Sequence, residues 1–157
     1  MTDAAIDAFN ALPDAELHSE LHHCCSSTRW IARVASARPF ASSAVLLQHA
    51  GAAFEELREE DWQEAFAAIA IRELQAGDDA TRSATRLALR LYEERFGYPF
   101  VSAEQLGAEE LLMRVRIRLG LEPDAQQRAS RAEQRRLAHA RLQRLLERMG
   151  GVPTSPS

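Results

Sequence analysis

Apolar residues recur at intervals of three and four along most of the chain, a spacing that places them on one face of an α-helix. The strongest example is the segment 60–73, where Trp62, Phe66 and Ile69 fall at i, i+4 and i+7. A large apolar side chain contributes roughly 1.5–3 kcal/mol when it is buried, so we expect this helix at the centre of the core. Six other segments show helical spacing, through Leu17 and Leu21; Trp30, Ile31 and Val34; Leu46, Ala50, Phe54 and Leu57; Leu87 and Leu91, with Leu89, Tyr92 and Phe96 on an adjoining stripe; Leu112, Val115 and Leu119; and Leu142, Leu145, Leu146 and Met149.

Capping and breaking residues separate these segments. The pairs Pro13-Asp14 and Pro123-Asp124 are typical of helix starts, and Gly97 is typical of a helix end. Ser102 with Gln105 suits a capping box, although Gly107 favours a later start. The remaining caps and breaks are Ser26 to Thr28, Arg38-Pro39, Ser42 or Ser43, Gly77 to Asp79, Gly120 and Gly150-Gly151.

The segment 114–118 alternates between basic and apolar residues, so a strand is a local alternative to a helix there. We prefer the helix because no other segment offers such a strand a partner. The whole pattern predicts an all-α fold, a compact single-domain bundle of seven to eight helices over residues 1–150. A disordered tail is expected at residues 151–157.

Composition narrows the possible functions only slightly. The net charge of −4 gives no bulk attraction to nucleic acid or to anionic lipid. All 19 basic residues are Arg, which excludes a Lys Schiff base and a phosphate-loop Lys. Cys24 and Cys25 are adjacent and therefore poorly placed to bridge each other, so we expect free thiols in a reducing compartment. With no apolar stretch of membrane-spanning length and no signal-peptide pattern, we expect a cytoplasmic protein.

Two clusters of side chains offer alternative kinds of site. His18 and His22 share one helical face, the i, i+4 geometry that suits a metal, yet no third ligand follows from the spacing. The Arg-rich last helix has its basic residues spread around the helix and interrupted by acids, which disfavours a nucleic-acid surface. We interpret both as solvated faces and expect no metal, no cofactor and no nucleic-acid partner. The residues alone indicate no catalytic site.

Six ordered segments carry a resemblance to a known family: Phe9 to Leu12, Cys24 to Ser27, Trp30, Arg38 to Phe40, Asp61 to Phe66 and Tyr92 to Val101. Together they resemble the OHCU decarboxylases (2-oxo-4-hydroxy-4-carboxy-5-ureidoimidazoline decarboxylases) of uric acid breakdown. The resemblance extends from about residue 8 to residue 147. It implies an all-α domain, usually a homodimer, and a cofactor-free decarboxylation that yields (S)-allantoin.

The chain departs from the family pattern at the catalytic positions. Where the family has His-Pro-Arg-Ile-Gly, with the His as acid and base, this chain has Ile69 to Glu73. The loop that carries the family's substrate-binding Glu and Gln is missing between Leu74 and Gly77. The family's Asn near the Tyr is Leu89, and its binding Arg after Phe-Val has no match in residues 102–107.

These departures predict a member of the ureide and purine catabolism family that lacks decarboxylase activity, with no catalytic residue of the family retained. We expect it to bind a small carboxylate or ureide or to modulate a partner, as a homodimer or beside an intact paralogue. The alternative is a divergent cofactor-free decarboxylase or lyase acting on OHCU or another small carboxylate. The candidate pocket residues are Trp30, Arg38, Phe40, Ile69, Arg72, Glu73 and Phe100, for which packing and surface pairing are the alternative roles.

Overall fold

The computed structural model describes residues 3–69 and 77–151. Over these ranges it contains eight α-helices and no β-strand, which confirms the all-α prediction and the helix at residues 114–118. The helices are α1 (Ala4–Asn10), α2 (Asp14–Cys24), α3 (Thr28–Ser36), α4 (Ser43–Ala53), α5 (Glu59–Ala67), α6 (Asp79–Phe96), α7 (Ala108–Leu119) and α8 (Pro123–Met149), with a 3₁₀ turn at Phe54–Glu56.

Most helix ends lie where the local capping signals predict them. The Ser27 side chain accepts a hydrogen bond from the Trp30 amide at 3.2 Å, and Gly97 ends α6 with a φ of +84°, which favours glycine. The later start that Gly107 favours is confirmed, because α7 begins at Ala108 with Gly107 as its N-cap, and the capping box at Ser102 does not form. Ser102 Oγ instead donates to the carbonyl of Glu104 at 3.0 Å, within the loop before α7.

The chain divides into two compact units. The first contains residues 1–65 and 135–157, and the second is Phe66–Gln134. The prediction of a single domain over residues 1–150 stays a prediction. The tail expected at 151–157 lies, apart from Gly151, outside the described residues.

The core of the first unit is built around a row of stacked aromatic rings. The Phe54 ring centroid lies 5.4 Å from that of Trp30 and 5.5 Å from that of Trp62, with nearly parallel planes. All three side chains are buried, and Trp30 Nε1 donates to the Ala50 carbonyl at 2.9 Å. Offset stacking of this kind adds to the free energy gained from area burial alone.

Carboxylates connect the helices of the first unit at their amino ends. Asp3 accepts hydrogen bonds from the amides of Ile6 and Ser43, so that it caps α1 and contacts the start of α4. Glu64 accepts from the amide and the hydroxyl of Thr28, at 2.6 and 2.9 Å, which places an acid of α5 at the amino end of α3. Acids are favourable there because the first amides of a helix lack internal partners.

The second unit contains α6 and α7, and its buried α6 face differs from the predicted one. Thr85, Ala88 and Tyr92 are buried, whereas Leu87 and Leu91 are 51% and 47% exposed. Thr85 Oγ1 donates to the Ala108 carbonyl at 3.0 Å, so a polar contact with α7 helps to select the inward face. The predicted Leu87 and Leu91 stripe is therefore wrong as a core face.

The α5 helix ends earlier than the apolar spacing predicted. Trp62 and Phe66 are buried as expected. The helix stops at Ala67, and Ile69 follows it, with its amide donating to the Phe66 carbonyl at 3.1 Å. This i→i−3 bond tightens the last turn, and Ile69 is half-buried instead of lying on the helix face.

Over the two described ranges, no helix is both long enough and apolar enough to cross a membrane.

Candidate functional site

A cavity of about 230 Å³ lies in the second unit, beside the extended segment that follows α6. We refer to it as the Arg118 cavity. Its lining residues come from that segment, from one side of α7 and from α8. They are Phe100, Val101, Ser102, Arg114, Ile117, Arg118 and Glu133.

Local sequence places each wall of this cavity. Gly97 ends α6, and the extended segment that contains Phe100 follows it. Arg114 and Arg118 lie one helical turn apart on α7 and therefore share a face. Glu133, on α8, accepts a hydrogen bond from the Ala103 amide at 3.0 Å and fixes the loop edge of the cavity.

Arg118 is the central cation of the site. Its Nη2 donates to Ser130 Oγ at 2.8 Å, its Nε donates to the Gln126 amide oxygen, and its guanidinium carbon lies 5.1 Å from the Phe100 ring centroid. In the described ranges Arg118 forms no ion pair with a carboxylate, unlike Arg114, which contacts Glu104 and Glu110. A half-buried cation held only by neutral groups is well suited to an anionic ligand.

A buried polar network holds Arg118 in this orientation. The Gln126 amide nitrogen donates to Ser130 Oγ at 2.8 Å and to the Tyr98 hydroxyl at 3.1 Å, and it also contacts the Tyr92 hydroxyl. Gln126 and Ser130 are fully buried. Burial raises the pKa of Tyr92, so the phenol stays protonated and neutral at physiological pH. The network therefore adds no negative charge that would compete with a ligand for Arg118.

The groups that line the Arg118 cavity can bind an anion. Among its described lining residues there is no histidine to transfer a proton. Glu133 supplies a carboxylate and Ser102 a hydroxyl, and both are acceptors for ligand N–H groups. Arg118 supplies donors for a ligand carboxylate. This combination suits a small acid that also carries amide or ureide nitrogens.

The predicted residues of the first unit have structural roles. Arg38 Nη1 donates to the carbonyls of Phe9, Asn10 and Leu12, and its Nη2 donates to Asp14 at 2.9 Å. These bonds satisfy the free carbonyls at the end of α1. The Arg38 guanidinium is thus occupied by its own chain.

Phe40 and Trp30 are packed into the first unit. Phe40 is 6% exposed and lies against Phe9 and His49. Trp30 is fully buried and lines a different cavity. Among the predicted pocket residues that the structure describes, Trp30 lines one cavity and Phe100 lines the other.

Of the remaining predicted residues, Phe100 lines the Arg118 cavity. Its ring contacts Tyr92 edge-on, at 5.3 Å between centroids. Ile69 is half-buried after α5 and lines neither cavity. Arg72 and Glu73 lie outside the described residues.

The histidine pair on α2 shows no sign of a metal site. His18 and His22 are exposed, and His18 Nδ1 lies 2.8 Å from the Asp14 carbonyl oxygen. Within residues 3–69 and 77–151, no group of three or more His, Cys, Asp or Glu side chains is arranged to hold a metal ion.

Sequence reasoning missed Arg118, Gln126 and Ser130. The available signal was the set Gln126, Ser130 and Gln134, which places polar residues at i, i+4 and i+8 on one face of α8. All three are buried. A polar stripe at helical spacing indicates a buried network that requires partners.

The comparison with protein-family models identifies one family. The sequence profile described as OHCU decarboxylase matches residues 10–71 and 70–143. No curated protein sequence matches the chain.

Two solved structures share the fold. An OHCU decarboxylase crystallised in the presence of (S)-allantoin is 19% identical with a TM-score of 0.75, over 82% of this chain and 97% of that one. An (S)-allantoin synthase is 18% identical with a TM-score of 0.74, over 89% of this chain and 53% of that one. Identities this low show similarity of fold alone.

Proposed function

The chain belongs to the OHCU decarboxylase family, and from this premise we propose that it binds a small carboxylate or ureide without decarboxylating it. The proposal joins two properties, the replacement of the family's proton donor and the anion-binding character of the Arg118 cavity. Under this proposal the protein acts in purine and ureide catabolism, where it binds a small molecule or modulates a partner protein.

The observation that carries the proposal is Ile69. In the family resemblance the acid and base histidine stands at this position, and here the side chain is an aliphatic group that can neither donate nor accept a proton. Decarboxylation leaves a carbanion that must be protonated on one face, and a positioned acid typically contributes about 10²–10⁴-fold to such a step. The half-buried setting of Ile69 suits hydrocarbon better than it suits a polar catalytic group.

The Arg118 cavity supports the binding part of the proposal. In the resemblance, the family's binding Arg follows Phe-Val, and here Arg118 of α7 provides a guanidinium beside Phe100 and Val101. A carboxylate forms short, paired hydrogen bonds with an Arg fork. The volume of about 230 Å³ lies below the roughly 300–1,000 Å³ typical of drug-sized ligands, so it suits a small metabolite.

An enantioselectivity assay tests the loss of decarboxylation. Purified protein is mixed with freshly generated OHCU, and the circular dichroism of the product is followed over time. We expect racemic allantoin at the spontaneous rate. Enantioselective allantoin formed faster than in buffer would overturn the proposal and support the divergent decarboxylase instead.

A thermal-shift screen tests the binding. Small carboxylates and ureides are added at increasing concentration, with neutral amide analogues of equal size beside them. A ligand at 100 times its Kd stabilises the folded state by about 2.7 kcal/mol. Stabilisation by the acids but not by their amides is expected, whereas an equal response to both would argue against an anion site.

We also propose a homodimer, as the family resemblance implies, with pairing to an intact paralogue as the alternative partner. The support is two exposed apolar pairs at i, i+4, one on α6 and one on α7, because exposed apolar patches often mark protein contacts. Native mass spectrometry of the protein alone, and of the protein co-expressed with a paralogue, distinguishes homodimer, heterodimer and monomer. The exposed residues are Leu87, Leu91, Met113 and Ile117.

A further inference from the structure

A second cavity, of about 270 Å³, lies within the first unit. We refer to it as the Arg135 cavity. Its floor is apolar and includes Leu47, Phe54 and Leu142, and its rim carries Arg135, Arg136 and His139 from α8. Of its lining residues, all of which belong to the described part of the chain, none is acidic.

The rim concentrates basic groups on one side of an apolar floor. Arg135, Arg136 and His139 occupy two consecutive turns of α8 and are all exposed. Phe54 and Leu142, below them, are 3% and 1% exposed. An amphipathic ligand would therefore meet hydrocarbon at one end and donors at the other.

Arg135 has the contacts expected of a cation available to a ligand. Its Nη2 donates to the Gly51 carbonyl at 3.1 Å, and its guanidinium carbon lies 5.7 Å from the Phe54 ring centroid. Within residues 3–69 and 77–151 it forms no ion pair with a carboxylate. The carbonyl and the ring orient the fork over the cavity mouth while its charge stays uncompensated.

We propose that the Arg135 cavity binds a small monocarboxylate with an apolar body. The body would contact the floor at Leu47 and Leu142, and the carboxylate would pair with Arg135. This ligand class differs from that of the Arg118 cavity, whose lining includes Glu133 and Ser102 and favours polar, nitrogen-bearing acids. The proposal does not depend on whether the protein decarboxylates OHCU.

Gly51 offers a way to block the cavity without disturbing the fold. It lies in α4 and lines the cavity, and a Cβ built on it meets no heavy atom within 4 Å. Gly51→Leu should therefore fill the mouth while it improves the helix propensity of α4. This variant separates loss of binding from loss of folding.

The test is a titration with phenylacetate and a parallel titration with phenylacetamide. Binding is measured by isothermal calorimetry and by the NMR signal of the Trp30 indole N–H. We expect phenylacetate to bind and to shift that signal, because Trp30 lines the cavity, and we expect phenylacetamide to bind at least tenfold more weakly. Arg135→Gln should raise the Kd for phenylacetate about tenfold. The matched control Arg144→Gln, an exposed position on α8 that does not line the cavity, should leave it unchanged.

Four outcomes would overturn the proposal. Three of them are no binding of phenylacetate at millimolar concentration, equal binding of acid and amide, and equal effects of Arg135→Gln and Arg144→Gln. Unchanged affinity in Gly51→Leu would place the ligand elsewhere and overturn it as well. Arg118→Gln should have no effect on this titration, which keeps the result distinct from the fate of the Arg118 cavity.

Discussion

The guanidinium of Arg118 lies over the ring of Phe100, 5.1 Å from its centroid, while two of its nitrogens are hydrogen-bonded to neutral side chains. Phe100 is a predicted pocket residue that lines this cavity, whereas Arg118 is a cation that sequence reasoning overlooked. Aromatic contact stabilises the cation without neutralising it. Arg118 is thus positioned by its own chain and remains able to pair with an anion.

Arg118→Gln should weaken about tenfold or more the binding of the nitrogen-bearing carboxylates that the thermal-shift screen finds. The reason is that a hydrogen bond to a charged group contributes roughly 1.5–3 kcal/mol. Isothermal calorimetry measures the change. Arg116→Gln, an exposed position on the same helix that does not line the cavity, is the matched control and should bind as the wild type does.

Because Arg118 also belongs to the buried network, Arg118→Lys provides a second variant. It keeps the charge and loses the planar fork, so we expect intermediate affinity and a nearly normal fold. Equal affinity in Arg118→Gln and Arg116→Gln would show that the ligand binds elsewhere.

Ile69→His should not restore decarboxylation. The substitution supplies an imidazole, but the family resemblance indicates that the binding Glu, Gln and Arg are also missing, so the substrate would not be oriented toward the new group. Allantoin formation from OHCU, followed by circular dichroism, measures the outcome. Ile69→Gln, of similar size and without a titratable group, is the control.

If Ile69→His forms (S)-allantoin above the rate of Ile69→Gln, the missing groups are supplied from residues other than those in the family pattern. The chain would then be one substitution away from an active enzyme.

Arg38→Gln should lower the free energy of unfolding by about 2–3 kcal/mol. Its side chain is only 14% exposed and satisfies three carbonyls at the end of α1, which would be left without their charged donor. Urea denaturation measures the change. Arg33→Gln is the control: Arg33 and its partner Glu56 are each 52% exposed, and such pairs contribute about 0–1 kcal/mol.

A small effect of Arg38→Gln on stability together with a large effect on ligand affinity would return Arg38 to the list of binding residues.

The free energy of unfolding should fall in alkaline solution because Cys24 and Cys25 are buried as neutral thiols. Burial raises the pKa of Cys24 to about 12 and that of Cys25 to about 11, whereas an unfolded thiol titrates near about 8.5. The folded state therefore holds these protons more tightly than the unfolded state does. The free energy of unfolding is unaffected below about pH 8 and falls as the pH rises from about 8.5, the unfolded pKa, towards the folded values of about 11 and about 12.

Urea denaturation between pH 7 and pH 10.5 measures this loss. The double variant Cys24→Ala/Cys25→Ala should be less stable at neutral pH but should lose less stability as the pH rises. A thiol reagent at pH 8 should react with the wild type only as fast as the protein unfolds. Rapid reaction with the folded protein would contradict the burial of both thiols.

Helix positions could be predicted because their signals are local. Ser27, Ser42 and Gly97 act within a few residues of where they stand, and the structure has them as caps. The inward face of α6 could not be predicted in the same way. The buried Thr85 hydroxyl lies 2.7 Å from the Thr81 carbonyl oxygen of its own helix and 3.0 Å from the Ala108 carbonyl oxygen of α7. The spacing of Leu87 and Leu91 gives no indication of the contact with α7.

The candidate site was harder to predict than the fold, because its groups come from separate elements. Phe100 could be chosen through a family resemblance. Arg118 can be recognised as a binding candidate only in the folded structure, where Gln126 and Ser130 contact it. The turn after Gly120 brings these residues together. The contacts of Arg38 were hard to predict for a related reason. A basic residue beside Pro39 and Phe40 gives no indication that the end of α1 will occupy it.

Because α8 is one continuous helix over Pro123–Met149, an insertion or deletion within it changes the direction of the side chains that follow. Each residue advances a helix by about 100°, so one amino acid inserted directly after Arg135 would turn Leu142 by about that angle relative to Arg135. The two residues would then no longer line the same cavity. Natural relatives should therefore gain or lose residues in the connections before Pro123 and after Met149, and should tolerate none between them.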